Sequence, residues 1–340
     1  MTPKYIFSKE KLIENYNFLK RELTPCTICY ALKANAHIEV LKVLHETGAS
    51  FESASVNEYK RLRSIGVDNN HIIFGLPIKS RQIIKEIYGL GGRYFVFDDM
   101  RELVKLEEEA PLADKILRIY VSDLNPRNIG YGMMMEEMNK NIRDNQLLER
   151  MNGISFHFTE NVNIENEFII LDRVEKILKK LAAIGKKGMT LNIGGSYRLW
   201  ASQEYFKQLR MRLQYLVDEY EVKLLAEPGL AIVNSAGSFR TKVVMTKEYG
   251  VFTDVYIDGG APNGIKDAPK GVINLSNCEK CMKKIYRFID ITCLNRVLFT
   301  KRLSFSIEID DILELPDIGA YSLIYRNDFH LWGETAVEMI

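Results

Sequence analysis

A net charge of either sign is missing from this sequence. Lys plus Arg number 46 and Asp plus Glu 45 across 340 residues, a formal charge of +1. A chain so balanced carries no electrostatic footprint for nucleic acid. Long apolar runs are missing too: no stretch approaches the roughly 20 residues that a membrane-spanning helix needs. The opening MTPKYIFSKEKL lacks a signal-peptide core, which predicts a cytoplasmic protein. Cysteine is scarce, at five residues. Cys26 and Cys29, and likewise Cys278 and Cys281, have C-x-x-C spacing. The two pairs stand about 250 residues apart, however, where four-sulfur zinc sites usually leave ~15–20 between pairs. Cys26 and Cys29 also fall at or just before a strand, where residues three apart face opposite ways. The plainer reading is reduced thiols in a cytosolic protein, with no metal.

What is present is a regular alternation. Apolar residues make up 46% of the chain, enough for a sizeable core, and the length suggests one large domain plus a smaller one. Strand-like TICYALKA, SFESAS, HIIFGLP, RYFVFDD, KILRIYV, GISFHFT, TLNIGG and KLLAEPG are separated by helical segments such as VNEYKRLRSIG and MRELVKLEEEA. Eight strands alternating with helices predict a (β/α)8 barrel, here over residues 20–235. Glycines at 48, 66, 91 and 185 fall where helices should stop. After Ser235 strand-like segments follow one another with few helices between them. Residues 236–340 are therefore expected to form a second, mainly β domain, to which residues 1–19 add a strand through PKYIF.

Active sites in such barrels lie at the C-terminal ends of the strands. Those ends carry Lys33, Ser53 to Ser55, Asp98 or Asp99, Arg118, His157, Gly194-Gly195-Ser196 and Glu227. Lys33 interrupts the apolar run of CYALKANAH. A lysine in an apolar pocket has a lowered pKa and becomes an amine nucleophile toward an aldehyde such as pyridoxal phosphate (PLP). The plainer reading is a lysine that snorkels to the rim. The GGS turn before a helix can bind an anion through backbone N–H groups, or can be only a tight turn. Glu227 could keep a pyridine nitrogen protonated, or could form a structural ion pair with Arg118. His157 could stack on a ring or sit satisfied in the core. Met133 to Met135 read as core.

Taken in order, YALKAN, FESASVNEY, VFDDMREL, GISFHF, NIGGS, AEPG, a late cysteine and GAY resemble the fold type III PLP-dependent decarboxylases. That family includes ornithine, diaminopimelate, arginine and carboxynorspermidine decarboxylases, and the resemblance runs from Thr2 to Phe329. It implies that Lys33 bonds to the cofactor aldehyde, that His157 stacks on the ring and that Glu227 pairs with the pyridine nitrogen. It implies that Gly194, Gly195 and Ser196 hold the phosphate with help from the Tyr321 hydroxyl, that Arg118 lies near the cofactor, and that Glu52 and Ser55 line the end of the second strand. It further implies a homodimer with shared active sites, in which Cys293 of the partner copy protonates the carbanion.

Four departures from the family pattern bear on function. Leu230 stands where the family's EPGR has arginine, and Arg198 is a candidate to compensate. Thr159 and Glu160 replace a glycine and a phosphate-side serine. Leu294 replaces the acidic residue after the cysteine, with Arg296 two residues beyond, which suits a substrate whose far end is anionic or bulky. The chain is also short for the family, as a minimal enzyme or one domain of a longer fusion would be. The expected activity is α-decarboxylation of an amino acid, or of an amino-acid group on a larger conjugate. One such group is the 3-amino-3-carboxypropyl unit met in peptide–nucleotide antibiotic biosynthesis. The alternatives are a conventional ornithine, lysine or diaminopimelate decarboxylase, a racemase of the same fold, and a non-catalytic PLP carrier or structural partner. Racemases commonly set arginine against the pyridine nitrogen, where this chain has Glu227.

Overall fold

The computed structural model describes residues 2–121, 130–143, 147–157, 164–197, 199, 201–276, 280–331 and 335–340. Strand β1 (Lys4–Phe7) and helix α1 (Lys9–Glu22) lead into eight strands: β2 (Thr27–Ala31), β3 (Ser50–Ser53), β4 (Ile72–Phe74), β5 (Tyr94–Phe97), β6 (Asp114–Arg118), β7 (Gly153–Ser155), β8 (Thr190–Asn192) and β9 (Lys223–Ala226). All eight pair in parallel with their neighbours, and β9 returns to β2, so the sheet closes into the expected (β/α)8 barrel. Between the strands run α2 (Ile38–Glu46), α3 (Val56–Ser64), α4 (Arg81–Gly89), α5 (Met100–Glu109), α6 (Met135–Arg143), α7 (Ile164–Ala183) and α8 (Gln203–Tyr220).

The pleat sorts side chains two ways. Cys29, Ile73, Val96 and Ile116, from four different strands, form one buried apolar cluster. Their neighbours in sequence, among them Tyr30, Phe74, Phe95 and Phe97, are completely buried. Each such ring contributes about 1.5–3 kcal/mol relative to exposure. Helix starts are set by side-chain caps: Ser55, Ser80, Asp99 and Ser202 each accept a backbone N–H from the first turn of the helix that follows. Gly66 and Gly91, just past α3 and α4, take left-handed φ values of 88° and 96°, which end a helix without a Cβ penalty.

After α9 (Leu230–Val233) the regular structure is mainly strand: β10 (Gly237–Tyr249), β11 (Phe252–Ile257), β12 (Ile273–Asn274), β13 (Lys280–Asp290), β14 (Val297–Phe305), β15 (Ile312–Leu315) and β16 (Ala336–Met339). The sheet order is β12-β15-β10-β11-β13-β14, with β1 pairing antiparallel to β10 and parallel to β16. PKYIF is thus a strand of the β unit, as its sequence predicts. The core of this unit includes Phe239, Val255, Phe288 and Phe299, the last two stacked at 4.5 Å. By compactness, residues 16–32 and 44–229 form the barrel unit, and residues 1–15, 33–43 and 230–340 form the β unit. Among the described residues no helix is long and apolar enough to cross a membrane.

Candidate active site

In the barrel unit, one hydrogen-bonded network joins the C-terminal ends of β7, β8 and β9. Asn192, the last residue of β8, is 2% exposed. Its Nδ2 donates to Glu227 Oε1 at 2.5 Å, and its Oδ1 accepts from Gly194 N–H at 3.0 Å. Glu227, one residue past β9, donates its own backbone N–H to the Gly194 carbonyl at 2.6 Å. Gly195 N–H donates to His157 Nδ1 at 3.0 Å. A neutral imidazole that accepts at Nδ1 carries its proton on Nε2, so the backbone fixes the tautomer.

The glycines contribute room. A Cβ on Gly194 would stand 2.6 Å from the Phe156 carbonyl oxygen, and one on Gly195 would stand 2.5 Å from that of Glu227. Both N–H groups are already donated within the protein, to Asn192 Oδ1 and His157 Nδ1. Ser196 follows at φ 77°, a left-handed conformation uncommon for serine. On β7, in register with Asn192, the Ser155 hydroxyl is buried and has no hydrogen-bond partner among the described residues. A carboxylate held by an amide, a tautomer-fixed imidazole, a cleared glycine turn and an undonated buried hydroxyl are groups that fit a phosphorylated pyridine aldehyde.

Arg118 ends β6 and is partly buried, with its guanidinium 5.6 Å from the Tyr131 ring centroid. The hydrogen-bonded partner of Glu227 is the Asn192 amide, in place of the Arg118 ion pair considered from sequence. Glu52 on β3 is 4% exposed. It runs so close to Gly75 that a Cβ there would stand 2.2 Å from Glu52 Oε1. Ser55 is exposed, and its hydroxyl caps α3 by accepting Glu58 N–H at 3.1 Å. Glu58 reaches back to Ala54 N–H at 2.7 Å. The serine and second glutamate of FESASVNEY therefore build a helix start.

Lys33 lies in the β unit. The strand ends at Ala31, and the chain turns through a 3-10 helix over Leu32–Ala34, so strand alternation stops one residue short of the lysine. Leu32 and Ala34 are buried and Lys33 is exposed, which corrects the expectation of a lysine enclosed in an apolar run. This turn is tied to the GAY segment: Tyr321 N–H donates to the Ala34 carbonyl at 2.8 Å, and Asn35 Nδ2 donates to the Gly319 carbonyl at 3.0 Å. Lys33 and Tyr321, 288 positions apart in sequence, thus share one backbone network.

Cys293 is exposed on a turn in which Asn295 N–H donates to the Thr292 carbonyl at 3.1 Å. The turn stands on Asp290, 1% exposed, whose Oδ1 accepts both the Thr292 N–H and its hydroxyl. Leu294 and Arg296 are exposed on the same loop. Leu230 opens α9 and is 50% exposed. Thr159, Glu160, Arg198 and Cys278 lie outside the described residues. Cys26 and Cys29 are buried, and burial pushes the Cys26 thiol up to about 12 and the Cys29 thiol well above its ordinary value. Both are thus thiols at neutral pH. Among the described residues no cluster of three or more His, Cys, Asp or Glu side chains could hold a metal. Sequence reasoning missed Asn192 and Asp290. Asn192 sits inside the quoted NIGGS motif, but a side-chain amide carries no signal until its partners are known.

The family model described as pyridoxal-dependent decarboxylase, pyridoxal binding domain, matches residues 9–234. A lysine/ornithine decarboxylase of Selenomonas ruminantium is 28% identical, over 73% of this chain and 66% of its own length. An ornithine decarboxylase of Caenorhabditis elegans is 25% identical, over 94% of this chain and 83% of its own. The crystal structure of the Paramecium bursaria Chlorella virus arginine decarboxylase superposes with a TM-score of 0.88 at 22% identity, covering 100% of this chain and 97% of that one.

Proposed function

We propose that this chain, which belongs to the family of pyridoxal-dependent decarboxylases, removes the α-carboxyl group of an amino acid as carbon dioxide and releases the amine. The observation that carries this reading is the carboxylate of Glu227, held by a neutral amide beside a cleared glycine turn. Pyridoxal phosphate, when bound, supplies an aldehyde for amines and an electron-withdrawing ring for the carbon that loses its carboxyl group. Lys33 would hold that aldehyde through its amine, Glu227 would pair with the ring nitrogen, and His157, with its tautomer fixed, would stack on the ring. Ser196 and Tyr321 would meet the phosphate. Cys293 of a second copy, or a water, would supply the proton to the carbon that has lost its carboxyl group. Glu227 disfavours a racemase, which commonly sets arginine against the ring nitrogen. The β unit and the Cys293 loop disfavour a cofactor carrier.

For the substrate, the relatives' names point to basic amino acids: lysine, ornithine, arginine. The peptide–nucleotide conjugate draws no support from them. Leu294 and Arg296, exposed on the Cys293 loop, offer no carboxylate to a distal ammonium. We therefore place a basic amino acid first and a substrate with an anionic or bulky far end second. The test is carbon dioxide release from ornithine, lysine, arginine, diaminopimelate and a 3-amino-3-carboxypropyl conjugate, with PLP added and Lys33→Ala as control. Release from a free diamine precursor that needs Lys33 establishes the first. Release from the conjugate alone establishes the second. Cofactor bound at Lys33 with no release from any of them rejects both. Shared active sites are tested by mixing Lys33→Ala with Cys293→Ala: activity regained on mixing two inactive variants requires the partner's cysteine.

A further inference from the structure

We infer that Asn192 is a positioning residue whose neutral amide holds the Glu227 carboxylate turned toward the cofactor ring. The inference rests on the reading of Glu227 given above and concerns the residue behind it. Asn192 is almost wholly buried and makes two hydrogen bonds of opposite sense. Its Nδ2 donates to Glu227 Oε1 and its Oδ1 accepts from Gly194 N–H. An amide usually fits two ways round, but here only one is chemically possible. The backbone N–H can only donate and an ionised carboxylate can only accept, so oxygen must face Gly194 and nitrogen must face Glu227.

Two consequences follow. With Oε1 engaged by the amide at 2.5 Å, Oε2 remains the oxygen that can accept from a ring N–H. The same amide ties that carboxylate to the glycine turn, and Gly195 of that turn holds His157, so ring partner and stacking partner are set by one frame. Aspartate at this position would keep the acceptor for Gly194 but would place a second carboxylate oxygen against Glu227 Oε1. Two carboxylates that close share a proton and titrate as a pair. The side chains facing Glu227 Oε1 on β8 and β9 therefore need to supply a donor with no charge of its own, and asparagine does so.

The experiment uses the PLP-loaded full chain without substrate. It compares wild type, Asn192→Asp, Asn192→Ala and Glu227→Gln, reading the cofactor's visible absorption and its dissociation constant across pH, with melting temperature as the folding control. Asn192→Asp is expected to match wild type at acid pH, where the shared proton stands in for the amide N–H. It should lose cofactor affinity by about 10- to 100-fold as the pair ionises, the size expected for a hydrogen bond to a charged group. Asn192→Ala should show that loss at every pH. If Asn192 matters only as a brace for the glycine turn, Asn192→Asp keeps the brace and follows wild type throughout. That result overturns the inference when Glu227→Gln changes the absorption. Glu227→Gln leaving absorption and affinity unchanged overturns the reading of Glu227 and this inference together.

Discussion

Two parts of the barrel rim handle a carboxylate in opposite ways. Past β4 and β5, Lys79 has no exposed side-chain surface, and its Nζ lies 2.9 Å from Glu102 Oε1. It also donates to the Val96 carbonyl at 2.7 Å and the Pro77 carbonyl at 3.1 Å. Lys105 pairs with Glu102 as well and donates to the Lys79 carbonyl. Past β8 and β9, the Glu227 carboxylate is held by the neutral amide of Asn192 and is partly exposed. The first carboxylate is neutralised inside the protein and can only hold structure. The second, on the reading proposed above, serves the cofactor. A charged group with a charged partner is a brace, and one with a neutral donor is a candidate tool.

Removing one member of the brace gives the largest expected effect. Lys79→Met leaves Glu102 with Lys105 alone and two carbonyls without a donor, and should cost about 3–5 kcal/mol of stability in chemical denaturation. Activity per folded molecule should stay as it was. The pH dependence sharpens this. Burial, outweighing the attraction of Glu102, brings the Lys79 ammonium down to about 8. The folded chain then sheds this proton before the unfolded chain does, so wild-type stability rises with pH through the window from 8 to its unfolded value near 10.4. Below that window the cost of the buried charge is carried in full. The deficit of Lys79→Met against wild type should therefore widen by up to about 3 kcal/mol across the window. A gap that narrows instead would falsify the assignment of Lys79.

Glu227→Gln probes the other side. Glutamine has the same shape but no charge, and it cannot keep a ring nitrogen protonated. Carbon dioxide release should fall by about 10²- to 10³-fold, the usual cost of losing one preorganised electrostatic partner, with little change in melting temperature. A large stability loss with modest activity loss would make Glu227 a second brace and erase the contrast.

Most of the architecture is legible in the sequence because the strand and helix periods alternate with clear stops, and closed parallel barrels follow from that alternation. The places of Glu227 and His157 just past β9 and β7 are legible from the same alternation. The frame behind them is not. Asn192 and Ser155 are small polar residues in apolar strands, and only the register of β7 against β8 puts them side by side. The exposure of Lys33 is hidden for a local reason: strand-like TICYALKA runs on past Ala31 and conceals the turn at Leu32. Ser55 shows the converse: a residue quoted within a family motif has its hydroxyl in a helix cap.

A third carboxylate, Asp290, lies between the two extremes. It is buried like Glu102, but its Oδ1 partners are the neutral donors of Thr292, as an amide is for Glu227. Thr292→Val removes the hydroxyl donor and leaves that buried oxygen with one N–H. Stability should fall by about 1–3 kcal/mol. Because Leu294 N–H also donates to Thr292 Oγ1, thiol labelling of Cys293 should speed up as the turn loosens. An unchanged labelling rate would separate Asp290 from the presentation of Cys293.

The smallest effect decides whether Ser55 belongs with the brace or with the tool. As a cap, its hydroxyl answers Glu58 N–H at the start of α3, and its removal should cost about 1 kcal/mol in Ser55→Ala and only a few tenths in Ser55→Gly. That ranking is peculiar to capping, since glycine lets solvent reach the bare N–H and alanine does not. A cofactor contact ranks the variants differently: alanine and glycine both lack the hydroxyl, so both should weaken PLP binding equally, with stability of the cofactor-free protein unmoved. Denaturation of the cofactor-free chain, followed by PLP titration of the same three proteins, separates the two. The capping geometry predicts the split in stability and identical PLP affinities.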